Sequence, residues 1–217
     1  MTTTDTPLDE ARDVVLQRIR EALADGPARV LIPRDYDRAL PAGTDIVELF
    51  IERVRDYRAT VHRTAPDALA STVATVLTER GARRLAVPAG VANLTGDWLS
   101  LASVEAVPDD PPLSFSDLDA LDGVISGCAV AIAETGTIVL DGSPDQGRRA
   151  LSLLPDLHVC VVRASQIVGT VPEALERLSP ARPQTWISGP SATSDIELQR
   201  VEGVHGPRRL DVIVVDG

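Results

Sequence analysis

Glu134 is an acid delivered at the end of a core strand. The runs Gly127-Cys128-Ala129-Val130-Ala131-Ile132-Ala133 and Thr137-Ile138-Val139-Leu140 flank Glu134-Thr135-Gly136, which reads as buried strand, tight turn or bulge, buried strand. Partial desolvation at such a place raises a carboxyl pKa or strengthens the carboxylate as nucleophile or base. Thr135, Gly136 and Thr137 then become candidates to touch a bound substrate or anion. The alternative is a hairpin-turn glutamate facing water beside ordinary β-branched strand residues.

A second stretch, Trp186 to Val215, gathers more polar function between two apolar runs. Gly189-Pro190-Ser191-Ala192-Thr193-Ser194-Asp195-Ile196-Glu197 is followed by Gly203-Val204-His205-Gly206-Pro207 and then by the β-branched run Leu210 to Val215. That order reads as strand, polar loop, strand. Gly and Pro fix backbone paths that ordinary residues avoid, and the small side chains of Ser191, Ala192 and Thr193 leave backbone N–H groups open to an anion. Gly189, Pro190, Ser191, Thr193, Asp195 and Gly206 are thus candidates to touch a bound substrate or anion; Ser194 and Glu197 also fit a capping box, the alternative in which Asp195 and Glu197 are structural. His205, between Val204 and Gly206, can reach a ligand or donate a proton near neutral pH. Arg208 and Arg209 can neutralise an acidic substrate or form a solvated charge pair. His62 and His158, in expected strands, read as structural, and no second ligand stands at metal spacing from His205.

Composition removes several mechanisms. All 21 basic residues are Arg, so a Schiff-base lysine, a phosphate-loop lysine and a lysine base are excluded within this chain. A net charge of -11 argues against nucleic acid as partner. Cys128 and Cys160 lie in apolar runs, too few for a four-cysteine cluster and without C-x-x-C spacing, and read as buried thiols. No apolar run approaches the roughly 18 residues of a membrane span. The first residues lack a signal-peptide pattern, which leads us to expect a cytoplasmic protein.

The elements that must position these residues follow from periodicity and punctuation. Thr6-Pro7-Leu8-Asp9 opens a helix whose stripe is Leu8, Ala11, Val15, Ile19 and Leu23, ending at Gly26-Pro27. Residues 1–43 read as a helical arm and link that packs on the rest of the chain or on a partner, and 44–217 as the main domain. A helix near Thr44 with Ile46, Phe50, Val54 and Tyr57 on one face, a strand over 58–62, a helix ending at Gly81 and a strand over 84–87 signal a parallel sheet with covered faces. Further on we expect a loosely specified helix over 91–101 and strands over 103–107 and 157–162. A capping-box helix begins at Thr170 and a strand at Thr185.

Ala133-Glu134-Thr135-Gly136-Thr137, Leu154-Pro155 before the His158 strand, and the ordered pair Gly189 to Glu197 with Gly203 to Pro207 resemble the lactate utilization protein C family, the LUD domain also called LutC/YkgG. The resemblance covers roughly residues 44–217. It implies an α/β fold: a three-layer α/β/α sandwich with a mainly parallel sheet, similar to the NagB/RpiA/CoA-transferase-like group. It further implies a subunit supporting oxidation of L-lactate to pyruvate, with iron–sulfur clusters on LutA-like and LutB-like partners and none on this chain. A small carboxylate ligand is expected, and an oligomer is compatible. Two alternatives stand beside this: a transferase or hydrolase acting on an acyl thioester through Glu134, and a non-catalytic assembly subunit.

Overall fold

A computed structural model describes residues 7–24, 26, 30–193, 201–202 and 206–217. The chain divides into two compact units, Met1–Tyr36 and Asp37–Gly217. The first holds α1 (Pro7–Ala22), whose Val14, Val15 and Ile19 are each about half exposed. Thr6, the expected cap, lies outside the described residues. The division falls a few residues before the 43–44 boundary, and Arg38 is tied to the main unit by the Thr170 hydroxyl, which donates to its carbonyl at 2.7 Å.

The second unit runs α2 (Ile46–Asp56), β1 (Thr60–Thr64), α3 (Leu69–Arg80), β2 (Arg84–Val87), α4 (Val91–Thr95), β3 (Glu105–Pro108), α5 (Phe115–Asp119), β4 (Gly123–Ser126), β5 (Val130–Ile132) and β6 (Thr137–Leu140). It continues with β7 (Leu157–Arg163), β8 (Ile167–Val168), α6 (Val171–Arg177), β9 (Thr185–Ile187), β10 (Ala192–Thr193), β11 (Val201–Glu202) and β12 (Arg209–Val215). Six strands form a parallel sheet in the order β1-β12-β7-β4-β2-β3, four form a mixed sheet β8-β5-β6-β9, and β10 pairs antiparallel with β11. The expected α/β class with a mainly parallel sheet is present.

Alternation along the central strands sorts the core. Val159, Val161, Ile213 and Val215 face α3, α4 and Trp98, whereas Cys160, Val162, Val212 and Val214 face Phe50, Ile51 and Val54 of α2 and the mixed sheet. One layer is therefore helical; the other is shared between α2 and the mixed sheet, with α6 packed on the outer face of that sheet through Ala174. Near-continuous apolar sequences in β7 and β12 follow from burial on both faces.

Local signals explain the helix ends. Asp45 caps α2 by accepting from the Val47 and Glu48 amides at 3.1 Å each. Gly81 closes α3 in the left-handed conformation at φ 67°. At α6 only half of a capping box is made: the Thr170 amide donates to Glu173 at 2.8 Å while the Thr170 hydroxyl turns to Arg38. Two expectations are corrected. Tyr57 is the C-cap of α2, 40% exposed rather than part of its buried face. The helix over 91–101 stops at Thr95, because Gly96 takes a φ of 67° and a ψ of -155°, which no helix continues.

The loops after β2 and β4 leave on opposite sides of the sheet, α4 on one face and the mixed sheet on the other. In α/β sheets that divergence opens a crevice at the strands' carboxyl ends, the usual ligand position. Here the chain fills it. The Gly90 amide donates to the Pro144 carbonyl and the Gly127 amide to the Asp145 carbonyl, both at 2.9 Å. A Cβ on Gly90 would stand 2.5 Å from the Asp145 nitrogen and 2.6 Å from the Pro144 carbonyl carbon. Gly90→Ala is therefore expected to cost about 1–3 kcal/mol by displacing this loop, read as a lowered midpoint in urea with unchanged slope.

Candidate functional site

The polar turns expected after Trp186 close on one another at the opposite, starting end of β7 and β12. Gly189 has a φ of 81° and Gly206 a φ of 115°. The Ser191 amide donates to the Pro207 carbonyl at 2.8 Å, and a Cβ on Gly206 would stand 3.5 Å from that of Ser191. Between the two turns lies a pocket of about 230 Å³, walled by His158, Trp186, Ser188, Pro190, Ser191 and Leu210 among others. Gly189, Pro190, Ser191 and Gly206 thus sit together as the sequence suggested. Thr193 belongs to β10, and Asp195 and His205 lie outside the described residues.

His158, read from sequence as structural, lines this pocket from the second position of β7. It is 1% exposed, its Nε2 lies 2.7 Å from the Ser126 hydroxyl, and burial drives its pKa down to about 4. It is therefore a neutral imidazole at pH 7. Its signal in the sequence was slight: a polar residue second in an otherwise apolar strand. Ser188 was likewise overlooked, and its hydroxyl is joined to Thr137 at 2.8 Å. Thr137 is joined in turn to Thr135 at 2.7 Å, so a file of hydroxyls links the Glu134 turn to the pocket.

Glu134 itself is exposed. It sits on the turn between β5 and β6, its amide donating to the Gly169 carbonyl at 3.0 Å, and borders a separate recess with Arg53, Asp56, Tyr57 and Thr135. The desolvation expected of a core-strand acid is absent, because the turn carries the side chain past the end of the sheet. Gly136 packs against α2, where a Cβ would meet the Arg53 backbone at 2.8 Å. Arg208 does not line the pocket either: it pairs with Asp156 at 2.7 Å, and Arg209 shares that carboxylate at 3.2 Å. Cys128 and Cys160 are buried; the neighbouring Cys160 thiol first and burial second hold the Cys128 pKa well above its ordinary value. Among the described residues no three His, Cys, Asp or Glu side chains stand together as a metal site.

Comparison with known proteins adds the lineage. The LUD domain profile matches residues 47–215. Lactate utilization protein C of Deinococcus radiodurans is 48% identical over 210 residues, 95% of this chain and 96% of that protein. The protein of the same name from Bacillus subtilis is 39% identical over 94 residues, 40% of this chain and 39% of that one. A crystal structure of a DUF162 family protein from Deinococcus radiodurans superposes with a TM-score of 0.67 at 47% identity, over 79% of this chain and 96% of that chain. The chain belongs to the LUD domain family, in its lactate utilization protein C branch.

Proposed function

We propose that this chain is a LutC-type subunit of an L-lactate utilization system, supporting oxidation of L-lactate to pyruvate together with iron–sulfur partner proteins. The observation that carries the reading is the 48% identity to a lactate utilization protein C across 95% of the chain and 96% of that protein. The pocket at the start of β7 and β12 is where a small carboxylate would enter. Its serine hydroxyls carry acceptor lone pairs, and its neutral His158 supplies either a donor or an acceptor.

Oxidation of lactate releases two electrons and two protons, which a redox centre must accept. This chain's two cysteines are fewer than the four thiolates that commonly hold a cluster, which supports placing the clusters on the partners in this reading. No helix among the described residues is long and apolar enough to cross a membrane. Deleting the gene in the native host is expected to abolish growth on L-lactate while leaving growth on pyruvate intact, with restoration by the wild-type gene. Unchanged growth on L-lactate, in a host without a redundant pathway, would reject the reading.

A further inference from the structure

The described lining of the His158 pocket carries no ionised side chain at neutral pH, yet an acidic ligand calls for a cation. One lies next door. A second recess, of about 520 Å³, shares Ser152 and Thr185 with the first, and its wall carries Arg148, Arg149 and Arg182 against the single acid Asp141. In a chain of net charge -11 this wall runs against the general trend.

The three guanidinium groups are not equivalent. Arg148 is consumed by structure: Nε and Nη2 reach the two Asp109 carboxylate oxygens at 2.6 and 2.9 Å, and Nη2 also donates to the Leu113 carbonyl. Arg182 commits only Nη1, to Asp141 at 2.7 Å and Ser143 at 2.8 Å, leaving Nε and Nη2 for another acceptor. The exposed Arg149 side chain makes no hydrogen bond or ion pair with another described residue. One uncompensated cation and one half-used fork thus border the same space.

The floor of this recess is held rigidly. The loop 141–147 is pinned at Gly90 and Gly127, and inside it the Asp141 amide donates to the buried Gln146 side chain at 2.6 Å. From there the chain runs to the buried Ser152, which lines both recesses. We propose that the two recesses form one ligand cleft for an acidic small molecule, its oxyanion held by Arg149 and the open face of Arg182, its uncharged polar end in the His158 pocket. A guanidinium fork takes the paired oxygens of carboxylate or phosphate alike. The combined space falls in the range of roughly 300–1,000 Å³ that encloses ligands larger than a three-carbon acid. This inference concerns binding and rests on the cleft alone, so it stands or falls independently of the growth phenotype.

Trp186 lines the pocket end and is 40% exposed, while Trp98 is 1% exposed in the core, so tryptophan fluorescence of the full chain reports occupancy. Titration with inorganic phosphate, inorganic pyrophosphate and L-lactate is expected to give a saturable change with at least one of them. Arg149→Ala should weaken that binding at least tenfold with the melting temperature unchanged. Arg84→Ala, whose partner Glu105 is on the β3 edge, should leave it as it was. Saturation by the phosphates alone marks a phosphate-bearing ligand, and by lactate alone a carboxylate. No saturation with any probe, or equal affinity in Arg149→Ala, overturns the proposal.

Discussion

Asp211→Ala is expected to lower stability by about 3 kcal/mol, the lower end of what breaking a buried ion pair costs. Asp211 lies on β12 with no exposed surface, yet it is fully committed. Its Oδ2 receives Arg80 Nε at 2.8 Å, while its Oδ1 receives Arg80 Nη2 at 2.9 Å and lies 2.9 Å from His62 Nε2. Burial pushes the carboxyl pKa up, but the hydrogen bonds of His62 and Arg80 and the Arg80 charge outweigh it and hold the value below normal. The contact joins β1, α3 and β12 at one point, since Thr60 of β1 pairs in register with Asp211 and also accepts from Arg80 at 2.8 Å. Arg80 remains 30% exposed and can recover some water when its partner is lost, which is why the lower end applies. At about 2–4 °C per kcal/mol for a chain of this size, the melting temperature should fall by roughly 6–12 °C. Arg80→Ala together with Asp211→Ala should cost clearly less than the two single losses added, and strict additivity would show that the pair is not a unit.

Much of this frame was legible because it depends on neighbours in sequence. The Gly81 stop and the buried runs of β7 and β12 each rest on residues a few positions apart. β4 has no reading of its own in the sequence, since Gly123 to Ser126 offers only two large apolar residues, Val124 and Ile125, before Ser126-Gly127 interrupts them. The short α4 was drawn too long for the opposite reason: apolar residues continue past Thr95, but Gly96 turns the backbone away.

The site was legible only in its turns. Gly189, Pro190, Ser191 and Gly206 declare themselves by residue type, and they do meet at one pocket. Arg208 could not be judged, because its partner Asp156 arrives from the loop before β7. The same holds for His158 and Ser126, brought together by the register of β4 on β7, and for Arg149 and Arg182, which share a wall only through the crossover after β6. Charge compensation and strand register are properties of pairs far apart in sequence, and composition carries no record of them.

The second large effect follows from the acid response of His158. Its pKa is about 4 in the folded chain against an ordinary 6.5, because a fully buried imidazole loses the hydration that favours its charged form. Between these values the unfolded chain binds a proton that the folded chain does not, so stability falls as pH drops; the contribution is intact above about 6.5 and fully lost near 4. The shift corresponds to roughly 3 kcal/mol, most of it spent by pH 4.5. Other groups differ in sign or window. The carboxyls of Asp109, Asp141 and Asp211, with lowered pKa values, give up their contributions only below the ordinary carboxylate range, and Asp145, raised by burial, favours the folded chain as pH falls. Comparing the wild type with His158→Gln, which keeps an amide near Ser126 but has no proton to gain, cancels these shared slopes. Urea unfolding at pH 7.5 and 4.5 should show the wild type losing about 2–3 kcal/mol more than the variant over that interval. Parallel losses would mean that protonated His158 is accommodated in the folded pocket, and the wall facing Ser188 and Ser191 would then be open to water and charge at acid pH.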